Sequence, residues 1–293
     1  YCISKGSSSS NTPKPTLTNI SISSGRVSSG VVFTGNANII DPNNTTDIIV
    51  KGKTGIPIFN PYNLRNYPKR TNVNKIILHF TNGHENTQAI GTTDYLGRAN
   101  GNPFSTPGFM SGIHYAVDRK GIVAEGVPAD RFVIASDNWN NTGIGIEIIN
   151  SGAIDKVGNN YLIAYYKNPV YVKQDIIDLG FSYYNKNLIQ EYTDIQLQSL
   201  LGLINKLISD YPSIKTGIPK LSGVKKSLWN GGFWNMPKPN PRTNNIVPSF
   251  GSSKIWNNAT GLYPHVGGGG IHSDIAPTPK MRKFLVDNFG YTD

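Results

Sequence analysis

An α/β fold, a mixed central β-sheet flanked by helices with a small N-terminal β extension, is what this sequence predicts, and three observations predict it. Short apolar segments of strand character alternate with helical repeats along the chain, as a layered α/β architecture requires. Lys75-Ile76-Ile77-Leu78-His79-Phe80 is a nearly continuous apolar run, the pattern of a strand covered on both faces. Leu197, Leu200, Leu201, Ile204, Leu207 and Ile208 recur at helical spacing behind Thr193 and Gln196, a capping-box pair.

Taken in order, residues 1–15 are Ser, Asn, Lys and Pro with little to bury, and read as a tether. Residues 16–70 form the β-rich extension, with strand-like pieces at 17–23, 30–33 and 47–50 separated by Gly, Asn and Pro. The main domain spans 71–293. Its second strand, Ile113 to Val117, turns at Asp118-Arg119-Lys120-Gly121 into a partner at 122–125, which makes a hairpin. Gly143 to Ile149 is the third core strand, with glycines that let neighbouring groups approach. Weaker helical character falls at 87–97 and 173–190. Tyr211-Pro212 ends the strongest helix, and Thr278-Pro279 starts a terminal one running to about Phe289. Between them, residues 212–268 are a Trp-rich insertion holding Trp229, Trp234 and Trp256, whose rings serve either to pack the loop down or to stack on a ligand.

The 28 Lys and Arg residues exceed the 18 acidic ones, giving +10 and favouring an anionic partner such as nucleic acid, acidic lipid or a polyanionic bacterial wall. No basic stripe interleaved with aromatics and no zinc-finger cysteine pattern is present, which argues against nucleic acid. No apolar run reaches the ~18 residues of a membrane-spanning helix. The single cysteine, Cys2, excludes an intrachain disulfide. Cys2 with the Ser7–Ser10 run reads either as a lipidated N-terminus exposed by signal removal or as an exposed residue on the tail.

Chemistry centres on five histidines, His79, His84, His114, His265 and His272, and on Glu147. Imidazoles from separate strands or loops are what a catalytic zinc needs, with a third ligand and an open position. His79 closes an apolar strand, where function gathers on open sheets, although a strand-end histidine also serves as a hydrogen-bonded structural group. Glu147 interrupts another apolar strand and is costly to bury unless paired or used, so it reads either as a general base or as the partner of a lysine. Lys280 is a candidate for an oxyanion or for plain surface.

Ile76-Ile77-Leu78-His79, Ser111 to Gly121, Gly143-Ile144-Gly145-Ile146-Glu147 and His272-Ser273-Asp274-Ile275-Ala276-Pro277 together resemble the ordered motifs of the zinc-dependent N-acetylmuramoyl-L-alanine amidases, the superfamily that includes the peptidoglycan recognition proteins. The branch cleaving anhydro-muropeptides is the most similar. The resemblance implies zinc as cofactor, His79 and His272 as its ligands, Glu147 as general base and Lys280 as oxyanion stabiliser. It leaves His114 structural, and puts Ile113 where phage-type members keep a tyrosine. The substrate it implies is peptidoglycan or muropeptide fragments, with the protein in a bacterial envelope or periplasm, lipid-anchored there, or secreted.

Two positions depart from the pattern. Arg282 stands where the family has an aspartate ligand, and a guanidinium cannot ligate zinc. Asp287, Asp274, His84 and His265 are the alternatives for that ligand, and the rival reading is a catalytically inactive peptidoglycan-binding module. Phe132 to Ser136 replaces a Trp-His-Ala-Gly-like segment, which points to a reshaped cleft.

Overall fold

The computed structural model describes residues 25–27, 30–32, 49–51, 68–98, 112–135, 139–164, 168–183, 185–214, 227–229, 233–234, 238, 260–265 and 275–293. In chain order the elements are β1 (Gly25–Val27), β2 (Gly30–Val32), β3 (Ile49–Lys51), β4 (Lys75–Phe80), α1 (Ala89–Arg98), β5 (Tyr115–Val117), β6 (Val123–Glu125), β7 (Gly143–Ile148), β8 (Ala153–Val157), β9 (Asn160–Ile163), β10 (Tyr171–Val172), β11 (Ile176–Tyr183), β12 (Lys186–Gln190), α2 (Asp194–Asp210), β13 (Gly261–Pro264) and α3 (Pro279–Phe289).

The main sheet is mixed and six-stranded, in the order β13-β4-β7-β5-β6-β3. Strands β13, β4, β7 and β5 run parallel, β6 returns antiparallel to β5, and β3 lies parallel to β6. The expected β5–β6 hairpin is therefore present. Asp118 closes it by accepting from the amides of Lys120 at 2.9 Å and Ile122 at 3.0 Å, while Gly121 takes a left-handed φ of 80°. Strand β3 of the N-terminal extension joins the main sheet as its edge, whereas β1 and β2, among the described residues, pair with each other. The expected strand at 17–23 lies outside the described residues.

Strand alternation decides which side chains meet the helices. Ile76, Leu78 and Phe80 of β4 and Ile144, Ile146 and Ile148 of β7 share one core with Leu200, Leu203, Ile204 and Leu207 of α2 and Met281, Phe284 and Leu285 of α3. Helix α1 lies on the other face, over β5 and β6, where Ala89 meets Ala116, Ala124 and Ile149. The same face of β13, β4 and β7 carries the polar groups described below. Thr193 caps α2 by accepting from Gln196 N at 3.2 Å. The Gln196 side chain does not return to the cap; it donates to Val117 O at 3.1 Å and Ile149 O at 2.9 Å, which ties the helix N-terminus to the C-terminal ends of β5 and β7.

Residues 173–190, expected to be weakly helical, are instead two strands of a second, antiparallel sheet in the order β10-β9-β8-β12-β11. β-Branched and aromatic residues such as Ile176, Ile177, Phe181 and Tyr183 suit strands, and Gly180 at φ 74° sits where the β11–β12 register shifts. Buried Arg119 pins this sheet to the hairpin turn, pairing with Asp175 and donating to Glu191 O at 2.9 Å. In the Trp-rich insertion the described indoles are packed down: Trp229 and Trp234 stack at 5.3 Å between ring centres, and Trp234 Nε1 donates to Ile275 O at 2.6 Å. Trp256 lies outside the described residues. Thr278 and Pro279 start α3 as the sequence predicts, with Thr278 Oγ1 accepting from Met281 N at 3.3 Å.

Candidate active site

A row of side chains crosses the C-terminal ends of β13, β4 and β7, the edge of a parallel sheet where function concentrates. His79 and Glu147 are direct partners in the β4–β7 register, and Ala116 faces Glu147 from β5. On the other side Pro264 pairs with Leu78, and His265 N donates to Leu78 O at 2.8 Å, which seats His265 beside His79. Alternation puts His265, His79 and Glu147 on the face away from α2 and α3. The two imidazole rings lie 4.4 Å apart between centroids, tilted by 37°. His79 is buried at 4% exposure and His265 at 8%.

Gly145 lets the side chains beneath them pack close to β7. A Cβ there would come to 2.5 Å from Ile113 Cδ1 and 3.5 Å from His79 Nε2. Trp139 and Tyr263 form a wall, with rings 6.1 Å apart and the Trp139 ring edge-on to His265 at 6.5 Å. Arg70 holds the loop that carries this wall, donating to Ala129 O at 2.7 Å, Asn140 O at 2.8 Å and Gly143 O at 2.6 Å. Burial lowers its pKa to about 10, so the guanidinium stays charged at neutral pH.

His114 is hydrogen-bonded into the sheet and the neighbouring loop. Its Nδ1 accepts from Gly145 N at 3.0 Å, which leaves Nε2 to donate to Arg131 O at 3.0 Å. Burial, and then the charge of Arg70, push its pKa well below the usual histidine value, which keeps the ring neutral.

Of the sequence-predicted residues, the fold brings His79 and Glu147 together. His272 lies outside the described residues, as does Asp274. Lys280 lies in the first turn of α3: its ammonium is 2.8 Å from Asp194 Oδ1, and its backbone amide donates to Glu191 Oε2 at 3.2 Å. Arg282 follows on the same helix, bonded to Asp293 Oδ2 at 2.9 Å and 6.0 Å from the centre of the Trp229 ring. His84 is exposed, with Nδ1 accepting from Asn86 N at 3.1 Å, and Asp287 pairs with Lys283 at 2.6 Å. The proximity of His265 was not legible, because β13 holds only Gly-Leu-Tyr-Pro; the one sequence signal is that brief apolar pair ending in Pro-His.

Imidazole nitrogens are donors that zinc takes. Two imidazoles bound tetrahedrally at 2.0–2.1 Å would put their ring centres roughly 5 Å apart, close to the 4.4 Å seen between His79 and His265. Among the described residues no group of three His, Cys, Asp or Glu side chains could hold a metal ion.

The six-stranded mixed sheet flanked by helices is consistent with the amidase type 2 fold. The family model for N-acetylmuramoyl-L-alanine amidase matches residues 69–226, just over half of the sequence, and the chain belongs to that family. Among solved structures it is similar to the endolysin of the Thermus scotoductus MAT2119 bacteriophage Ph2119, at 18% identity over 50% of this chain and 72% of that one, with a TM-score of 0.30. It is also similar to a selenomethionine derivative of AmpD, at 18% identity over the same shares, 50% and 72%, with a TM-score of 0.29. No curated protein matches the sequence.

Proposed function

We propose that this protein hydrolyses the amide between N-acetylmuramic acid and L-alanine in peptidoglycan or muropeptide fragments, with zinc held by His79 and the motif residue His272 and with Glu147 as general base. The observation that carries the reading is the direct pairing of His79 with Glu147 at the C-terminal ends of adjacent parallel strands. Zinc, when bound, would supply Lewis acidity to the scissile carbonyl and to the attacking water. Glu147 stands one strand from His79, at the spacing of about 4.8 Å that neighbouring strands impose, and takes the proton of that water before passing it to the leaving amine. Trp139 and Tyr263 shield the imidazoles from bulk solvent. The net charge of +10 suits an acidic wall polymer, and such a substrate places the working site in a bacterial envelope.

Mass spectrometry of muropeptides incubated with the full chain tests this: free stem peptide is expected. Glu147→Gln should slow release by roughly 10²–10⁴-fold, the worth of a positioned base, while leaving zinc content unchanged. A second reading, the inactive wall-binding module, is favoured by the commitment of Arg282 to Asp293 where a carboxylate ligand was expected. Muropeptide binding without any peptide release would establish it and end the enzymatic one.

A further inference from the structure

We propose that His265 is a direct metal ligand of this protein, contributed from the edge strand β13, and that it supplies the donor missing at Arg282. The inference rests on the zinc reading above and adds to it a residue outside the family motifs.

Three observations place the ligand. Four consecutive pairs, Gly261 with Lys75 through Pro264 with Leu78, fix β13 against β4. The His265 amide extends that ladder to Leu78 O at 2.8 Å, so its Cα cannot slide relative to His79. Alternation then sends both rings to one face, 4.4 Å apart, and the edge of Trp139 at 6.5 Å limits how far the His265 ring swings away. No such strand ladder brings the other described candidates to His79: His84 is exposed in the loop after β4, and Asp287 is on α3. A neutral imidazole replacing a carboxylate leaves the metal site one unit more positive than the family pattern would.

Zinc affinity of the metal-free full chain, measured by competition with a chromophoric chelator, tests the assignment. Loss of a residue that merely supports a ligand weakens metal binding 10–100-fold, so His265→Ala should weaken it by more than about 100-fold, with His79→Ala similar and His84→Ala unchanged. His265→Cys loaded with cobalt(II) should show a thiolate charge-transfer band in the near ultraviolet that the wild type lacks, and this decides the matter if the alanine variant fails to fold. Wild-type zinc affinity in His265→Ala alongside loss in His79→Ala would overturn the assignment and leave the zinc reading standing. Cobalt bound normally by His265→Cys without the band would do the same. A wild-type chain that binds no zinc would overturn both.

Discussion

Gly145→Ala adds one methyl to the floor of the site, and its cost can be worked from the contacts that methyl would make. The new Cβ would lie 2.5 Å from Ile113 Cδ1, whereas ordinary carbon contacts are ~3.5–4.0 Å. Ile113 must therefore retreat by about 1 Å, and at 1% exposure it has no open space to enter. Overpacking of this kind costs about 1–3 kcal/mol, offset in part by the ~0.5–1 kcal/mol gained when a glycine leaves a strand. A net loss of about 1–2 kcal/mol in urea unfolding is expected. Ile113→Val removes the obstructing Cδ1 and should alone cost about 0.5–1.5 kcal/mol. Combined, the two changes should cost less than their sum by ~1 kcal/mol or more. Activity should not be rescued with stability, since the methyl still sits 3.5 Å from Nε2 of His79, the proposed metal ligand. Strict additivity of the two stability losses would refute the packed floor, and recovery of full hydrolysis in the double variant would refute its place in the site.

Two other outcomes follow from side chains around the row. Lys280→Ala should leave hydrolysis within about threefold of wild type, because its ammonium serves an exposed pair with Asp194, a contact worth ~0–1 kcal/mol; a loss near 100-fold in kcat would return Lys280 to the reaction. Burial lowers the pKa of Lys75 from 10.5 to about 8, so between those values the unfolded chain binds more protons and stability should rise with pH, the penalty being complete below pH 8. Lys75→Met should remove that rise and, after the lost bond to Thr142 Oγ1 at 3.0 Å, gain roughly 2 kcal/mol at pH 7. A urea midpoint that responds to pH 8–10 identically in both proteins would contradict the buried ammonium.

The parts of the fold legible in the sequence are those whose pattern is set by a single environment. Strands β4 and β7 are covered on both faces and read as apolar runs, and their polar breaks, His79 and Glu147, stand out for that reason. Helices α2 and α3 announce themselves through Thr193, Thr278 and Pro279, whose caps form as the residue types dictate. Strands β8–β12 are illegible because they are mostly half-covered and mix Asp155, Lys156, Asp178 and Lys186 with apolar residues, leaving no clean period of two. Strand β13 fails for another reason: four residues acquire strand structure from β4, not from their own pattern. The neighbour of His79 was hidden with it.

The fate of the last motif shows how a shared sequence can change its chemistry through local structure. Thr278 and Pro279 form an efficient helix start, and that start commits Lys280 and Arg282 to successive positions of α3. Residues two apart on a helix point roughly 200° from each other, so this pair cannot face one ion together. Their observed partners agree: Lys280 reaches Asp194 of α2, and Arg282 reaches Asp293 at the chain end, whose other oxygen accepts from Trp229 Nε1 at 2.7 Å. Both side chains thus meet partners from α2 and from beside Trp229. For catalysis through a metal, such an exchange requires another donor beside His79, and the donor proposed here is His265, which follows the edge strand β13 alongside β4.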